Sequence, residues 1–155
     1  MTETHLSCSS SNIDDALATA ERICQSNGAR LTPLRQRVLE LLLKANGPAK
    51  AYDLLQQISD GDTSPAKPPT VYRALDFLLE QGLAHKIESL NAYVACGHSD
   101  HHHSAAFLIC EKCELALEMS SDSTLQALKQ ETSKMSFQFS SAVIEVRGLC
   151  KNCQS

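Results

Sequence analysis

The sequence predicts an α+β protein in two parts: four helices closed by a β-hairpin, followed by a smaller α/β layer. Apolar residues recur at helical spacing in four segments up to Glu80, and beyond Gly82 the pattern changes to short strand-like runs. A chain of 155 residues can bury one ordinary core or two small ones. We expect the first part to span residues 1–84, with its hairpin extending to about residue 96, and the second to span residues 97–155.

Capping residues and apolar stripes predict the first three helices. The stripe of the first helix consists of Ile13, Leu17, Ala20 and Cys24. Gly28 then ends that helix, as a C-terminal glycine does. Thr32-Pro33 supplies an N-cap and a proline at the first position of the second helix, which stops before Gly47-Pro48. A third helix is predicted over Ala51–Asp60, and the turn-forming residues of 61–67 follow it.

Pro68-Pro69 opens a fourth helix, which Gly82 closes. Its apolar face consists of Val71, Leu75, Leu78 and Leu79, and its polar face of Tyr72, Arg73, Asp76 and Glu80. Two strand-like runs, 83–88 and 92–96, follow with a turn between them. Three helices with a short break before the last resemble a helix-turn-helix core, and a hairpin directly after it is a wing. The first part is therefore predicted to be a winged helix-turn-helix domain.

The second part alternates strand-like and helical patterns. Strands are predicted at Ala105–Cys110, Leu115–Met119 and Val143–Val146. Between the last two, a helix carries Leu125, Leu128, Thr132 and Met135. Because the apolar content is thin for a domain of this size, we expect a bound metal or a partner subunit to stabilise it.

Composition restricts the classes of function. No apolar run is long enough to cross a membrane, and the polar, acidic N-terminus is unlike a secretory signal, so we expect a cytoplasmic protein with no membrane partner. Seven cysteines in a reducing compartment favour metal binding over disulfides. The net charge is −4, but the segment from Arg22 to Lys50 holds six basic residues and one acidic residue. That local excess is typical of a nucleic-acid contact.

Two CxxC motifs of equal spacing, Cys110–Cys113 and Cys150–Cys153, predict a zinc site with four cysteine ligands. Two redox pairs or unligated surface thiols are the alternatives. Four thiolates leave no open coordination position, so this site is predicted to be structural and not catalytic. The chain has no HExxH motif, nucleophile elbow or phosphate loop, which argues against a zinc hydrolase or another enzyme with a small-molecule substrate.

A second group of candidate ligands contains one thiol, several imidazoles and several carboxylates. Its members are His85, Cys96, His98, Asp100, His101, His102, His103, Glu111, Glu114 and Glu118. Taken together, they offer the mixed nitrogen, sulfur and oxygen donors that zinc accepts. The residues alone leave open which of them bind an ion, and a solvated histidine-rich loop is the alternative.

The polar face of the fourth helix predicts contacts with double-stranded DNA. Arg73 can pair with guanine through two hydrogen bonds, while Tyr72 and Thr70 can contact phosphates or thymine methyl groups. We expect several basic side chains to bind phosphates, with a merely solvated basic face as the alternative: Arg30, Arg35, Arg37, Lys50 and Lys67.

Several stretches together resemble the ferric-uptake-regulator superfamily, and within it most closely the zinc-uptake-regulator branch. The longest match runs from Ala66 to Gly82, AKPPTVYRALDFLLEQG. Shorter matches are Arg30–Pro33, Ala51–Leu55, His85–Ser89, Phe107–Cys110 and Gly148–Cys150. The resemblance covers nearly the whole chain from about residue 16, and the long TVYRALDFLLEQG stretch is highly specific.

The resemblance implies a homodimeric repressor that binds operator DNA when loaded with zinc and represses zinc-uptake genes. It implies two zinc ions per chain: a structural ion on the four cysteines and a regulatory ion on His85, Cys96, His103 and Glu118. It also implies that Tyr52 approaches DNA. His101 or His102 could replace His103, and His98, Asp100 and His101 could imitate part of a third site. The alternatives are an iron, manganese or peroxide sensor of the same superfamily, or a zinc-ribbon interaction protein that does not bind DNA.

Overall fold

The computed structural model of this protein describes residues 10–45, 47–59, 66–97 and 105–154. The chain divides into two compact units, residues 1–101 and 102–155. Across the described residues, no helix combines the length and the apolar character needed to cross a membrane.

The first unit contains four helices and a two-stranded sheet. In chain order these are α1 (Ser10–Ser26), α2 (Pro33–Lys44), α3 (Ala51–Ser59), α4 (Pro68–Glu80), β1 (Ala84–Ile87) and β2 (Ala92–Ala95). One core joins them, and its fully buried side chains include Leu54 of α3 and Leu75 and Leu78 of α4. Burying each leucine stabilises the unit by roughly 1.5–3 kcal/mol, so the apolar stripes of the sequence fix how the helices pack.

The end of α4 is set by Gly82. This glycine has a φ of 69°, and its amide donates to the carbonyl of Leu79, while the amide of Leu83 donates to the carbonyl of Leu78 at 2.9 Å. This pair of bonds is a Schellman motif, which satisfies the last carbonyls of a helix and needs a residue that tolerates positive φ. It turns the chain from α4 into β1.

Strands β1 and β2 form an antiparallel hairpin, which we call the wing. Ala84 lies opposite Ala95, and Ile87 lies opposite Ala92. A single turn of 3₁₀ helix, Glu88–Leu90, connects the strands and ends at Asn91, whose φ is 46°. Asparagine tolerates this left-handed conformation better than most residues. The wing therefore follows directly on α4, as the sequence predicts.

The second unit is a three-stranded sheet with one helix. Its elements are β3 (Ala106–Cys110), β4 (Ala116–Met119), α5 (Asp122–Lys134) and β5 (Ile144–Gly148). The strand order is β4-β3-β5; β3 pairs antiparallel with β4 and parallel with β5. The elements of both units confirm the predicted α+β class.

The apolar surface of this unit is largely exposed. Helix α5 buries no residue, and Met135, predicted to belong to this helix, lies just beyond it with 80% of its surface exposed. Other exposed large apolar residues are Leu108, Leu117, Met119, Leu128, Phe137, Val143, Val146 and Leu149. The unit thus has a small core for its size, in agreement with the thin apolar content of the sequence.

Candidate metal centre and nucleic-acid surface

The two CxxC turns meet at one edge of the second sheet. Cys110 is the last residue of β3, and its partner across the parallel ladder is Gly148, the last residue of β5. Because parallel strands end at the same edge, the turn after β3 and the turn after β5 are adjacent. The amide of Glu111 donates to the carbonyl of Gly148 at 2.8 Å, which ties the two turns together.

Tight backbone bonds shape each turn. The amide of Glu114 donates to the carbonyl of Cys110 at 2.9 Å, and Glu114 has a φ of 58°. In the second turn, the amide of Cys153 donates to the carbonyl of Cys150 at 2.9 Å. Each turn therefore aims its two thiols at the same point.

The four sulfurs are arranged as a tetrahedral ion requires. All four lie within 4.8 Å of one another, and the Sγ atoms of Cys113 and Cys150 are 3.8 Å apart. Tetrahedral zinc with Zn–S bonds of about 2.3 Å separates its sulfurs by about 3.8 Å. The geometry thus fits a zinc ion closed by four protein ligands, which would have a structural role.

The pKa values of these thiols also favour a bound cation. The backbone amide of Cys150 donates to the Sγ of Cys110 at 3.4 Å, and this bond is the main cause that lowers the pKa of Cys110 to about 6. Hydrogen bonding with Cys150 is the main cause that raises the pKa of Cys153 to about 12. One thiolate is therefore stabilised by the backbone while another is opposed by its neighbours, and a divalent cation would stabilise all four thiolates together.

Two candidate ligands lie side by side in the wing. His85 is in β1, and the amide of Cys96 extends the ladder beyond β2 by donating to the carbonyl of Leu83 at 3.0 Å. This pairing puts His85 and Cys96 in diagonal positions on one face of the hairpin. Their donor atoms lie within 4.8 Å of each other, and the Nε2 atom of His85 is shielded from solvent. An imidazole and a thiolate placed so can share one zinc ion.

The remaining candidate ligands belong to the second unit or lie outside the described residues. Glu118 is in β4, half-buried and opposite Phe107 of β3. Glu111 and Glu114 are exposed, and Glu111 forms an ion pair with Arg147 at 3.2 Å. The candidates outside the described residues are His98, Asp100, His101, His102 and His103.

The side chains predicted to contact DNA are all exposed. Tyr52 is 66% exposed and Tyr72 49% exposed, so both aromatic rings are open to a ligand. The other four are exposed as well: Arg30, Lys67, Thr70 and Arg73. Within the described part of the chain, Arg30, Lys67 and Arg73 form no ion pair, so their charges are available to an anionic partner.

Two basic residues have structural roles that sequence reasoning missed. The guanidinium of Arg35 lies 3.6 Å from the centroid of the Phe77 ring and donates to the carbonyl of Arg30 at 2.7 Å. Arg37 pairs with Glu40 at 3.0 Å, and Lys44 pairs with the same carboxylate. The Arg35–Phe77 contact joins α2 to α4, whereas both pairs with Glu40 lie within α2 and neutralise part of the predicted basic face. The phosphate contacts expected of Arg35 and Arg37 stay a prediction.

Sequence reasoning also missed Asn91 and Tyr93. Both line a pocket of about 200 Å³ beside Tyr52 and Tyr72. The alternating pattern of the wing strands predicts only that Tyr93 belongs to a strand. Its pairing with Ala49, 44 positions earlier in the chain, leaves no local signal in the sequence.

Comparison with known proteins connects this geometry to one family. The chain is 44% identical over 140 residues to the zinc uptake regulation protein of Escherichia coli K12, covering 90% of this chain and 81% of the relative. Among solved structures, a zinc uptake regulator complexed with zinc and DNA matches with a TM-score of 0.86 and 43% identity, covering 90% of this chain and 93% of the other. Holo XcZur matches with a TM-score of 0.82 and 42% identity, covering 90% and 96%.

These matches confirm the predicted winged helix-turn-helix domain with a second α/β domain, since each spans nine-tenths of the chain. The sequence profile of the ferric uptake regulator family matches residues 26–147, which include α2 to α5 and most of both units. The chain belongs to the ferric uptake regulator family.

Proposed function

We propose that this protein is a zinc-responsive transcriptional repressor that binds operator DNA as a zinc-loaded homodimer and represses zinc-uptake genes. The observation that carries the proposal is the match, over nine-tenths of the chain, to a zinc uptake regulator complexed with zinc and DNA. The exposed Tyr72 and Arg73 on α4 support it, because they offer hydrogen bonds and a charge to the major groove.

Two zinc ions per chain are part of the proposal. The first is structural and is bound by Cys110, Cys113, Cys150 and Cys153, whose sulfurs have the required spacing. The second is regulatory and is bound by His85, Cys96, His103 and Glu118. The adjacency of His85 and Cys96 supports it, and a thiolate donor favours zinc over Mn²⁺ or Fe²⁺.

The regulatory ion would respond to zinc supply by linking two parts of the chain. His85 and Cys96 belong to the first unit and Glu118 to the second, while His103 lies between Cys96 and Glu118 in the sequence. An ion bound by all four would favour the conformer in which they can meet. In a dimer that reads two half-sites about 34 Å apart, such a constraint would align both α4 helices with the major groove.

The exposed apolar surface of the second unit supports the homodimer. Leu108 lies opposite both Leu117 and Val146 across the sheet, and each is at least 41% exposed. In the sheet formed by the described residues, β5 lies at the edge, where another strand can be added. We propose that a second copy covers this surface.

Val146→Asp is then expected to shift the protein to monomer in sedimentation velocity, whereas Glu131→Asp on exposed α5 is not. A dimeric Val146→Asp protein would contradict the assignment.

Fluorescence anisotropy of the full-length chain tests the repressor proposal. The probe is a duplex selected from a random pool by the zinc-loaded protein, titrated with and without a zinc chelator. Zinc is expected to tighten binding by at least about ten-fold, the size of a typical allosteric coupling of 1–3 kcal/mol. Equal affinity in both conditions would reject zinc control, and a stronger response to Mn²⁺ or Fe²⁺ would favour another metal sensor.

The ligand set has a separate test. A Cys96→Ala/Glu118→Ala double variant should bind one zinc ion instead of two and lose the effect of zinc on DNA affinity. Glu131→Ala serves as the matched control, because Glu131 is an exposed carboxylate on α5, in the same unit and outside the proposed set. Retention of the zinc response by the double variant would reject these ligands.

A further inference from the structure

The pocket beside α3 has the features of an anion site. It measures about 200 Å³ and lies among three elements of the first unit: the start of α3, the exposed face of α4 and the tip of the wing. Besides the first residue of α3, its lining consists of Lys50, Tyr52, Tyr72, Leu90, Asn91 and Tyr93. No carboxylate is among the lining residues.

Tyr93 is the buried polar side chain of this pocket. Two backbone hydrogen bonds of 2.8 Å pair it with Ala49, directly before Lys50 and the start of α3. Only 5% of its surface is exposed, and within the described part of the chain its hydroxyl has no hydrogen-bond partner. Burial raises the pKa of this hydroxyl, so it stays protonated and able to donate. Tyr93 lines the pocket, so this hydroxyl is available to donate to an acceptor from outside the chain.

The other groups around the pocket are donors too. Helix α3 has nine residues, and its first amide to find an intrahelical acceptor is that of Leu54, which donates to the carbonyl of Lys50. The amides before it, at the positive end of the helix dipole, remain open to a ligand. Gln56 donates to the hydroxyl of Tyr52 at 2.9 Å, which leaves the proton of that hydroxyl free to donate. Asp53, in the first turn of α3, is exposed and does not line the pocket.

We propose that this pocket binds one phosphodiester group of the DNA backbone, with Lys50, Tyr93 and the first amides of α3 as its donors. The inference rests on the proposed function and extends it by assigning a phosphate contact that joins the wing tip to α3. The exposed Tyr52 and Tyr72 among the lining residues favour a backbone phosphate over a free ion, because both tyrosines belong to the predicted DNA-contacting surface.

A scan with methylphosphonates tests the proposal. In the selected duplex, one phosphate at a time is replaced by a neutral methylphosphonate, and the affinity of the zinc-loaded protein is measured. For the unmodified protein, one position in each half-site should weaken binding by about ten-fold, the loss expected for a charge-assisted hydrogen bond. In a Lys50→Gln/Tyr93→Phe variant, replacement at that same position should have no further effect.

The single variants separate charge from hydrogen bonding. Lys50→Gln should reduce the slope of log affinity against log salt by about two per dimer, since each lost phosphate contact contributes about 0.9. Tyr93→Phe should weaken binding to selected and unrelated duplexes by the same factor and leave thermal unfolding unchanged. Lys129→Gln, an exposed lysine of the second unit, is the matched control and should change neither quantity.

Three results would overturn the inference. The first is a methylphosphonate profile that is the same in the double variant and the unmodified protein. The second is tight binding of inorganic phosphate, measured as a Lys50-dependent shift of its ³¹P signal, in a protein that shows no position-specific loss of affinity in the methylphosphonate scan. That result would assign the pocket to the free ion. Normal zinc-dependent DNA binding alongside either of these results would leave the proposed function intact. The third result is failure of the unmodified protein to bind any selected duplex, which would overturn both the inference and the proposed function.

Discussion

Removing one sulfur from the four-cysteine site should unfold the second unit, and Cys153→Ser is the sharpest way to do so. Cys153 belongs to the last turn of the described chain, away from the strands that form the sheet. Its replacement by serine keeps the side-chain size nearly constant and removes the soft donor that zinc prefers. The variant therefore tests the contribution of the ion separately from packing.

The expected magnitude follows from how little this unit buries. Its buried apolar side chains among the described residues are Ala106, Phe107, Ile109 and Cys110. Full burial of the two large ones, Phe107 and Ile109, stabilises the unit by about 3–6 kcal/mol together. A structural zinc ion contributes about 10–16 kcal/mol to the folding of a small domain. The ion therefore outweighs the core, and the unit should not fold without it.

Zinc content and amide hydrogen exchange measure the outcome. In Cys153→Ser, zinc content should fall by one ion per chain, and the amides of β3 and β5 should lose protection while those of α4 keep theirs. Lys151→Ala, an exposed change within the same turn, is the control and should behave like the unmodified protein. Unchanged zinc content with full protection of β3 in Cys153→Ser would refute a structural ion at this site.

Three further predictions concern the first unit. Arg35→Ala should lower the free energy of unfolding by about 1–3 kcal/mol in urea titrations, because it removes the stacking on Phe77 and a hydrogen bond; a change within error would contradict this. Arg73→Ala should leave folding intact and reduce discrimination between selected and unrelated duplexes by about 1–3 kcal/mol, and unaltered discrimination would exclude a base contact. The hydrogen bond from Lys44 and then that from Arg37 lower the pKa of Glu40, so its contribution to stability is present above its unfolded pKa and is lost as the pH falls through the lower folded value. Glu40→Gln should reduce the loss of unfolding free energy at acid pH by less than about 1 kcal/mol. A pH dependence of stability identical to that of the unmodified protein would show that the carboxylate is not involved.

The sequence predicted well those features that local chemistry decides. Thr32-Pro33 marks the start of α2 because proline has no amide to satisfy and a φ suited to the first helical turn. Gly82 marks the end of α4 because its φ of 69° is strained for other residues. The spacing of the CxxC motifs likewise predicted which thiols approach one another, since each turn brings its own pair together.

Features that depend on contacts between distant residues left no readable pattern. The isolated β-bridge between Ala49 and Tyr93 joins backbone groups, whose pairing does not depend on the identity of either side chain. The position of Arg35 over Phe77 depends on how α2 crosses α4, which the stripe of each helix alone does not specify. The pattern around Leu125 and Leu128 predicted the helix α5, but it does not tell whether another part of the chain or a second subunit covers these residues, and α5 buries none of its own.

The two proposed zinc ions differ in what their occupancy can report. Four thiolates in closed tetrahedral coordination are bound as part of folding, so removal of that ion costs the fold of the unit, and its occupancy does not follow small changes in zinc concentration. A sensor needs an ion that leaves while the protein stays folded. We propose that His85 and Cys96 meet this condition, because Leu83 beside the wing and Tyr93 within it pack in the core of the first unit, and neither is a proposed metal ligand. By linkage, the factor by which zinc tightens DNA binding at such a site equals the factor by which DNA tightens zinc binding. The histidine–cysteine pair of the wing, and not the four-cysteine site, is therefore where zinc control of DNA binding should reside.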